Sequence, residues 1–225
     1  MKRLFLCLVV LMAGMNLQAQ NSNVSETIQY FKDGNATALK KEAQAGNAHA
    51  MNYLSKLYEE GRGVAKNLGE AFYWLKKAAE ADDEYISKVA AWYYNGKGVA
   101  TNLTEAFRWW KKGAEAGYLD DIYNLAYCYY LGEGTTKSIA DAMYWWMRFV
   151  MKMEKDELMT DDEELYELLE FDEQLQDVRW KIAECFWKGD GVEHSYKEAV
   201  KWWKKAASAG HEPSQKALKA CNETW

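Results

Sequence analysis

Three histidines, His49, His194 and His211, are the only imidazoles in the chain. Zinc chemistry would place two of them a helical turn apart with a glutamate between. None is so placed, and His211-Glu212 runs into Pro213-Ser214-Gln215. Four glycine pairs come next: Gly61-Arg62-Gly63, Gly96-Lys97-Gly98, Gly132-Glu133-Gly134 and Gly189-Asp190-Gly191. A phosphate loop would follow a strand and continue as Gly-Lys-Ser/Thr. No strand pattern precedes any pair and no such triplet follows, so the pairs read as turns. No nucleophile and base can be placed together. The expected catalytic, cofactor and metal residues are therefore none, and the expected function is binding.

The composition supports that reading. Of 225 residues, 49% are hydrophobic and 15% aromatic, too many for a disordered chain. Acidic residues outnumber basic ones, 34 to 28, which argues against a nucleic-acid partner needing a basic face. A single proline, 11 tryptophans and sparse β-branched residues predict helices joined by glycine. Lys2 and Arg3 precede an apolar run from Leu4 to Ala13, and the polar stretch Asn16-Leu17-Gln18-Ala19 follows. This is the layout of a secretory signal peptide over 1–19, with cleavage expected between Ala19 and Gln20. The run is too short to span a bilayer, which takes about 20 residues. Without Lys2 and Arg3, 26 basic residues face 34 acidic ones. The expectation is an acidic, soluble periplasmic or secreted protein with no transmembrane span.

The glycine pairs also set a period. Their first members lie 35, 36 and 57 residues apart, and one insertion of 21 explains the last gap. A fixed period in this range marks stacked repeats. Upstream of each pair, a helix A carries Leu54, Val89, Leu125 and Ile182 in one column. Ser55, Ala90, Ala126 and Ala183 form the next column, and Tyr58, Tyr93, Tyr129 and Phe186 a third. Downstream, helix B opens on Asn67, Asn102, Ser138 and Ser195, each with an acid three residues on, the mark of a capped start. Its body repeats Ala71, Ala106, Ala142 and Ala199, then Trp74, Trp109, Trp145 and Trp202. The adjoining column reads Leu75, Trp110, Trp146 and Trp203.

These columns resemble the Sel-one-like repeat family, a branch of the tetratricopeptide-like α/α repeats. Ala50, Leu54, Tyr58, Gly61, Gly63, Val64, Glu70, Ala71, Trp74, Lys76, Lys77, Ala78 and Ala79 carry the pattern best. The resemblance spans about 46–221. It implies an all-α fold, a right-handed superhelix of stacked helix-turn-helix units. The proline common after the loop valine is replaced by Ala65, Ala100 and Glu193. The third repeat lacks the loop valine (Thr135) and the closing Ala-Ala (Phe149-Val150). The expected division is a degenerate helix pair at 20–45, split near Asp33-Gly34-Asn35, and repeats at 46–80, 81–116, 117–152 and 174–209. An acidic helical insertion is expected at 153–173 and a capping helix at 210–225.

Cys128, Cys185 and Cys221 share one repeat position, where Leu57 and Trp92 stand earlier. Equivalent positions of stacked helices lie about 8–10 Å or more apart, beyond the ~7 Å limit for a disulfide. The thiols are expected free and core-filling. A branch of exported relatives carries a cysteine pair inside each repeat, an arrangement this sequence lacks. Some of that branch bear a β-lactamase label, but the Ser-x-x-Lys, Ser-Asp-Asn and Lys-Thr-Gly elements are absent.

Two features could bind a partner. Glu59, Tyr94, Tyr130 and Trp187 form a column beside the consensus tyrosine, and Asn124 and Tyr127 share a helix with Tyr130. The resemblance puts helix A on the concave face, so Tyr94, Asn124, Tyr127, Tyr130 and Trp187 are the candidate contacts for a protein or peptide. The competing reading packs these rings between repeats. The second feature is the acidic insertion. From Glu154 to Asp177 only Lys155 opposes the acids before the chain resumes its repeat. Leu165, Leu168 and Leu169 have helical spacing, and Thr160 with Glu163 reads as a capping box. The expected function is an exported, non-catalytic scaffold for a protein or peptide of the cell envelope. The alternatives are capture of envelope glycan or peptidoglycan fragments on the helix A aromatics, or hydrolysis of the β-lactamase type.

Overall fold

The computed structural model describes residues 25–156 and 171–225. The expected signal segment, with Ala19 and Gln20, lies outside them, as do Thr160, Glu163 and the leucines of the insertion. The described chain is all-α, and no strand occurs among the described residues. It divides into two compact units between Thr101 and Asn102.

The first unit opens with helical residues 25–32 (α1) and Ala36–Gln44 (α2), on either side of Asp33–Asn35. Then come α3 (Ala48–Glu60), α4 (Leu68–Ala81) and, after a 3-10 turn at Asp83–Tyr85, α5 (Ile86–Asn95). The second unit holds α6 (Leu103–Ala116), α7 (Leu119–Leu131), α8 (Ile139–Asp156), α9 (Asp172–Lys188), α10 (Tyr196–Ser208) and α11 (Glu212–Ala220). Within each unit, helices adjacent in sequence pack on one another.

The helix starts follow the sequence chemistry. Asn67, Asn102, Ser138 and Ser195 each accept a hydrogen bond from the amide three residues on, at 3.0–3.3 Å. Each satisfies one of the N–H donors that a helix start leaves orphaned. Three of these caps are pinned a second way, through the third helix A column. The amides of Asn67, Ser138 and Ser195 donate to the carbonyls of Tyr58, Tyr129 and Phe186 at 2.8–2.9 Å. A residue in the last turn of helix A thus fixes where helix B begins.

The column residues make the core. Leu54, Val89, Leu125 and Ile182 are fully buried, as are Ala71, Ala106, Ala142 and Ala199. The small column Ser55, Ala90, Ala126 and Ala183 is buried too, and Ser55 donates to the Ala71 carbonyl of α4 at 2.7 Å. A bulkier side chain in that column would force the helix pair apart. Trp146 is buried completely, and Trp110 and Trp203 nearly so. Trp109 departs from its column and stays partly exposed, with the Lys112 ammonium 5.8 Å from its ring centre.

The glycine pairs do more than reverse the chain. Gly96 and Gly132 end their helices in the left-handed region, with φ of 69° and 81°. The second glycine of each pair sits against backbone of the preceding helix-turn-helix unit. A Cβ on Gly98 would overlap the Leu68 carbonyl at the start of α4, and one on Gly134 the Leu103 carbonyl at the start of α6. The loop is therefore a lock between neighbouring hairpins as well as a turn.

Cys128 and Cys185 are buried free thiols, and Cys221 is a free thiol partly open to solvent. Burial pushes the Cys128 thiol up to about 12, and Glu133 adds to the shift. Burial likewise pushes Cys185 up to about 11. At pH 8 the Cys128 thiolate fraction is then on the order of 10⁻⁴. Alkylation of the native protein, followed by peptide mapping, should label Cys221 within minutes. Cys128 and Cys185 should be labelled only after denaturant is added, and early labelling of either would contradict the packing.

An ion-pair junction ties α8, α9 and α10 together. Glu154 accepts from Arg179 at 3.1 Å and from Lys205 at 2.7 Å, both on Oε1. Burial alone would raise its pKa, but the bonds from Lys205 and Arg179 outweigh that and hold it below the usual carboxylate value. The folded pKa lies below the unfolded one. The stabilisation is thus present above about pH 4.5 and is lost as pH falls through the folded value. Glu154→Gln should lower the melting temperature at pH 6–7, and the two proteins should converge near pH 3. An unchanged gap across that window in thermal melts would show that the junction does not depend on the carboxylate charge.

Candidate functional site

The helix A residues fall into separate sets. In the first unit Tyr94 stands on α5 with 37% of its surface exposed. Glu59 on α3, at the same repeat position, pairs with Lys97 at 2.6 Å. The Lys97 ammonium also sits 4.5 Å from the centre of the Trp92 ring. This position therefore serves as a bracket between neighbouring hairpins when it holds an acid.

In the second unit, α7 presents Tyr123, Asn124, Tyr127 and Tyr130, all partly buried. Spacings of three and four put the tyrosines on one helix face. Tyr127 is the most committed of them. Its hydroxyl donates to Asp177 of α9, and its ring lies 4.8 Å from Tyr123 and 5.7 Å from Trp146. Burial, then the bond to Asp177, drives the Tyr127 hydroxyl far above the usual phenol range. In the fold it is a neutral hydrogen-bond donor to Asp177. Tyr130 lies 5.3 Å from Trp146 and is flanked by two ammonium groups, Lys137 at 5.6 Å and Lys181 at 5.5 Å. Trp187 on α9 remains 40% exposed. Its ring leans on Trp203 at 5.5 Å and on Tyr196 at 5.9 Å, both from α10.

Within the second unit, the residues singled out from the sequence are not alike. Tyr127 packs between helices, as the competing reading held. Tyr130 and Trp187 are anchored from below while keeping surface open. Sequence reasoning missed Lys137 and Lys181, because one sits in a loop and the other on the next helix A, 51 residues beyond Tyr130.

A second cluster belongs to the first unit. His49, Asp82 and Glu84 bring a ring nitrogen and two carboxylates within 4.8 Å of one another. His49 Nδ1 lies 2.5 Å from the hydroxyl of the buried Tyr85. Burial, then Glu84 and Asp82, pushes that hydroxyl far above the usual phenol range. A shallow pocket of about 90 Å³, lined by Thr27, Asn47, His49 and Tyr53, opens beside it. Ligands held ~2.0–2.1 Å from a tetrahedral zinc lie about 3.3 Å apart. The side chains here would have to close up to reach that spacing. Lys88 meanwhile holds its ammonium 5.2 Å from the Tyr85 ring centre and offers the carboxylates a counter-charge from the protein itself.

Repeated helix hairpins with glycine locks and an alanine–tryptophan core invite comparison with known repeat proteins. The profile of the Sel1 repeat matches residues 48–83, 85–118, 120–147 and 178–211. The chain belongs to the Sel1 repeat family. Each match holds a glycine pair and the start of the following helix, so the lock is part of the shared pattern. Among solved structures, the Sel1 repeat protein from Oxalobacter formigenes is 25% identical with a TM-score of 0.64. That match covers 87% of this chain and 74% of the other. The c5321 protein, a protective antigen of uropathogenic Escherichia coli strains with an SLR fold, is 23% identical with a TM-score of 0.61. It is matched over 80% of this chain, which spans about a third (34%) of its length. No curated protein sequence matches the chain. Sel1 repeats are in general a scaffold for protein interaction. Among the described residues, no helix is long and apolar enough to cross a membrane.

Proposed function

We propose that this Sel1 repeat chain is an exported, non-catalytic scaffold that holds a protein or peptide partner of the cell envelope on its A helices, at Tyr130 and Trp187 of the second unit. The observation that carries the reading is the state of Tyr130 and Trp187. Both rings rest on buried tryptophans, Trp146 and Trp203, yet keep surface in solvent. Rings fixed from below lose little rotamer entropy when a partner covers them, which suits them as anchors. Catalysis finds no support at Tyr123 and Tyr127, whose hydroxyls burial pushes above the usual phenol range. Export rests on the sequence alone, through the basic, apolar and small-residue order of 1–19.

The test is crosslinking and mass spectrometry in the native host with wild type and a Tyr130→Ala/Trp187→Ala double variant. An envelope protein crosslinked to the wild type and lost from the folded variant is the expected result. Partners unaffected by the double change would move the site elsewhere. N-terminal sequencing of the mature protein checks export, and an intact Met1 on a cytoplasmic protein would overturn it.

A further inference from the structure

The second unit carries a small positive island that the family pattern does not call for. Tyr130 has Lys137 Nζ 5.6 Å and Lys181 Nζ 5.5 Å from its ring centre. The carboxylates that could neutralise Lys181 along α9 are engaged elsewhere. Asp177, one turn before it, accepts from the Tyr127 hydroxyl. Glu184, three residues after it, pairs with Lys188 at 2.8 Å. Among the described residues, neither Lys137 nor Lys181 has a carboxylate within ion-pair distance. Two ammonium groups without a carboxylate partner among the described residues thus meet at one ring, in a chain whose formal net charge is −6.

We propose that the Tyr130 ring with Lys137 and Lys181 forms a docking point for an acidic peptide segment, whose carboxylates bridge the two ammonium groups while its neighbouring side chain lies on the ring. This rests on the reading of the A helices as a binding face and names the chemistry of the partner. Charge complementarity selects a short carboxylate-bearing segment over a long polyanion. A nucleic-acid strand carries a phosphate about every 3.4 Å, and a continuous run of phosphates along α9 would soon meet Asp177 and Glu184, either side of Lys181 in sequence. A peptide can put its charges at the two lysines only.

The island is also cheap to occupy. Lys181 is partly buried and lies against a ring that Trp146 holds in place. A carboxylate arriving there meets one donor, Lys181, already in position, so less entropy is lost than with two free surface lysines. The attraction is partly open to solvent and must weaken with salt, over a Debye length of about 10 Å at 0.1 M.

The experiment uses the full chain and a short fluorescein-labelled peptide of Glu and Asp around one Leu, followed by anisotropy. Its control is the same peptide with Gln and Asn. Wild type is expected to bind the acidic peptide at least about tenfold more tightly than the amide peptide, with affinity falling as salt rises. Lys137→Gln/Lys181→Gln, checked for an unchanged helical spectrum, is expected to lose that difference. Lys137→Arg/Lys181→Arg should keep it. Equal binding of both peptides, absence of binding, or full retention by the glutamine variant would overturn the proposal, as would tighter binding of single-stranded oligothymidine. An envelope partner still lost with Tyr130→Ala/Trp187→Ala would then leave the scaffold reading standing without its acidic partner.

Discussion

Gly134→Ala should unfold the second unit at markedly milder conditions than wild type, by about 2–5 kcal/mol. Two costs add. The backbone there has φ +70°, a region where an L side chain costs ~1–2 kcal/mol. The new Cβ would also overlap the Leu103 carbonyl and crowd Phe107 Cβ at 3.0 Å. Overpacking of this kind costs typically 1–3 kcal/mol. Backbone cannot swing aside as a long side chain can, because Leu103 opens α6 and Asn102 caps it. Gly117→Ala is the matched control. Its φ is +95°, but nothing lies within 4 Å of the added carbon. It should cost only the conformational part, ~1–2 kcal/mol. Urea denaturation followed by circular dichroism separates the two. Equal losses would mean that the lock between hairpins contributes nothing.

Trp146→Ala should cost about 3–5 kcal/mol, the range for removing a large buried aromatic. Trp146 is completely buried, and the Tyr127 and Tyr130 rings lie 5.7 and 5.3 Å from it. Its loss should therefore do two things at once. The unit loses stability, and Tyr130 loses the surface that holds it. Trp146→Phe should restore most of the stability by refilling the volume, since only part of the indole is removed. If the face is the binding site, partner capture should fall with Trp146→Ala at temperatures where the variant is still folded. Unchanged denaturation midpoints in Trp146→Ala would show that this column does not carry the core.

The acid sensitivity at Glu154 and the silent thiols probe a different level of the same structure. Both depend on side chains that meet only after several helices have stacked. Glu154, Arg179 and Lys205 come from three helices, and their junction was not readable from spacing. Cys128 and Cys185 were readable, because a position that holds Leu57 and Trp92 in other repeats is core there; Cys221 occupies the same repeat position yet is partly open to solvent, so the core expectation fails for it.

The candidate face divides along the same line. That Tyr130 and Trp187 share a repeat position is a property of the period. That Tyr127 is tied to Asp177 while Tyr130 gathers Lys137 and Lys181 depends on how far α9 stands from α7. No local pattern contains that distance. His49, Asp82 and Glu84 likewise converge only because the 3-10 turn at Asp83–Tyr85 brings two acids back beside α3.

The order of residues by itself determined the all-α class, the repeat, the helix caps and the family. These follow from interactions within one hairpin, where a capping oxygen or a buried column acts over three or four residues. The tertiary structure alone decided why the second glycine of each pair has to be glycine. A left-handed φ can be guessed from a turn, but the carbonyl pressed against Gly98 or Gly134 comes from about 30 residues upstream. It also decided which aromatics stay open, because burial is set by the neighbouring hairpin rather than by the residue's own helix.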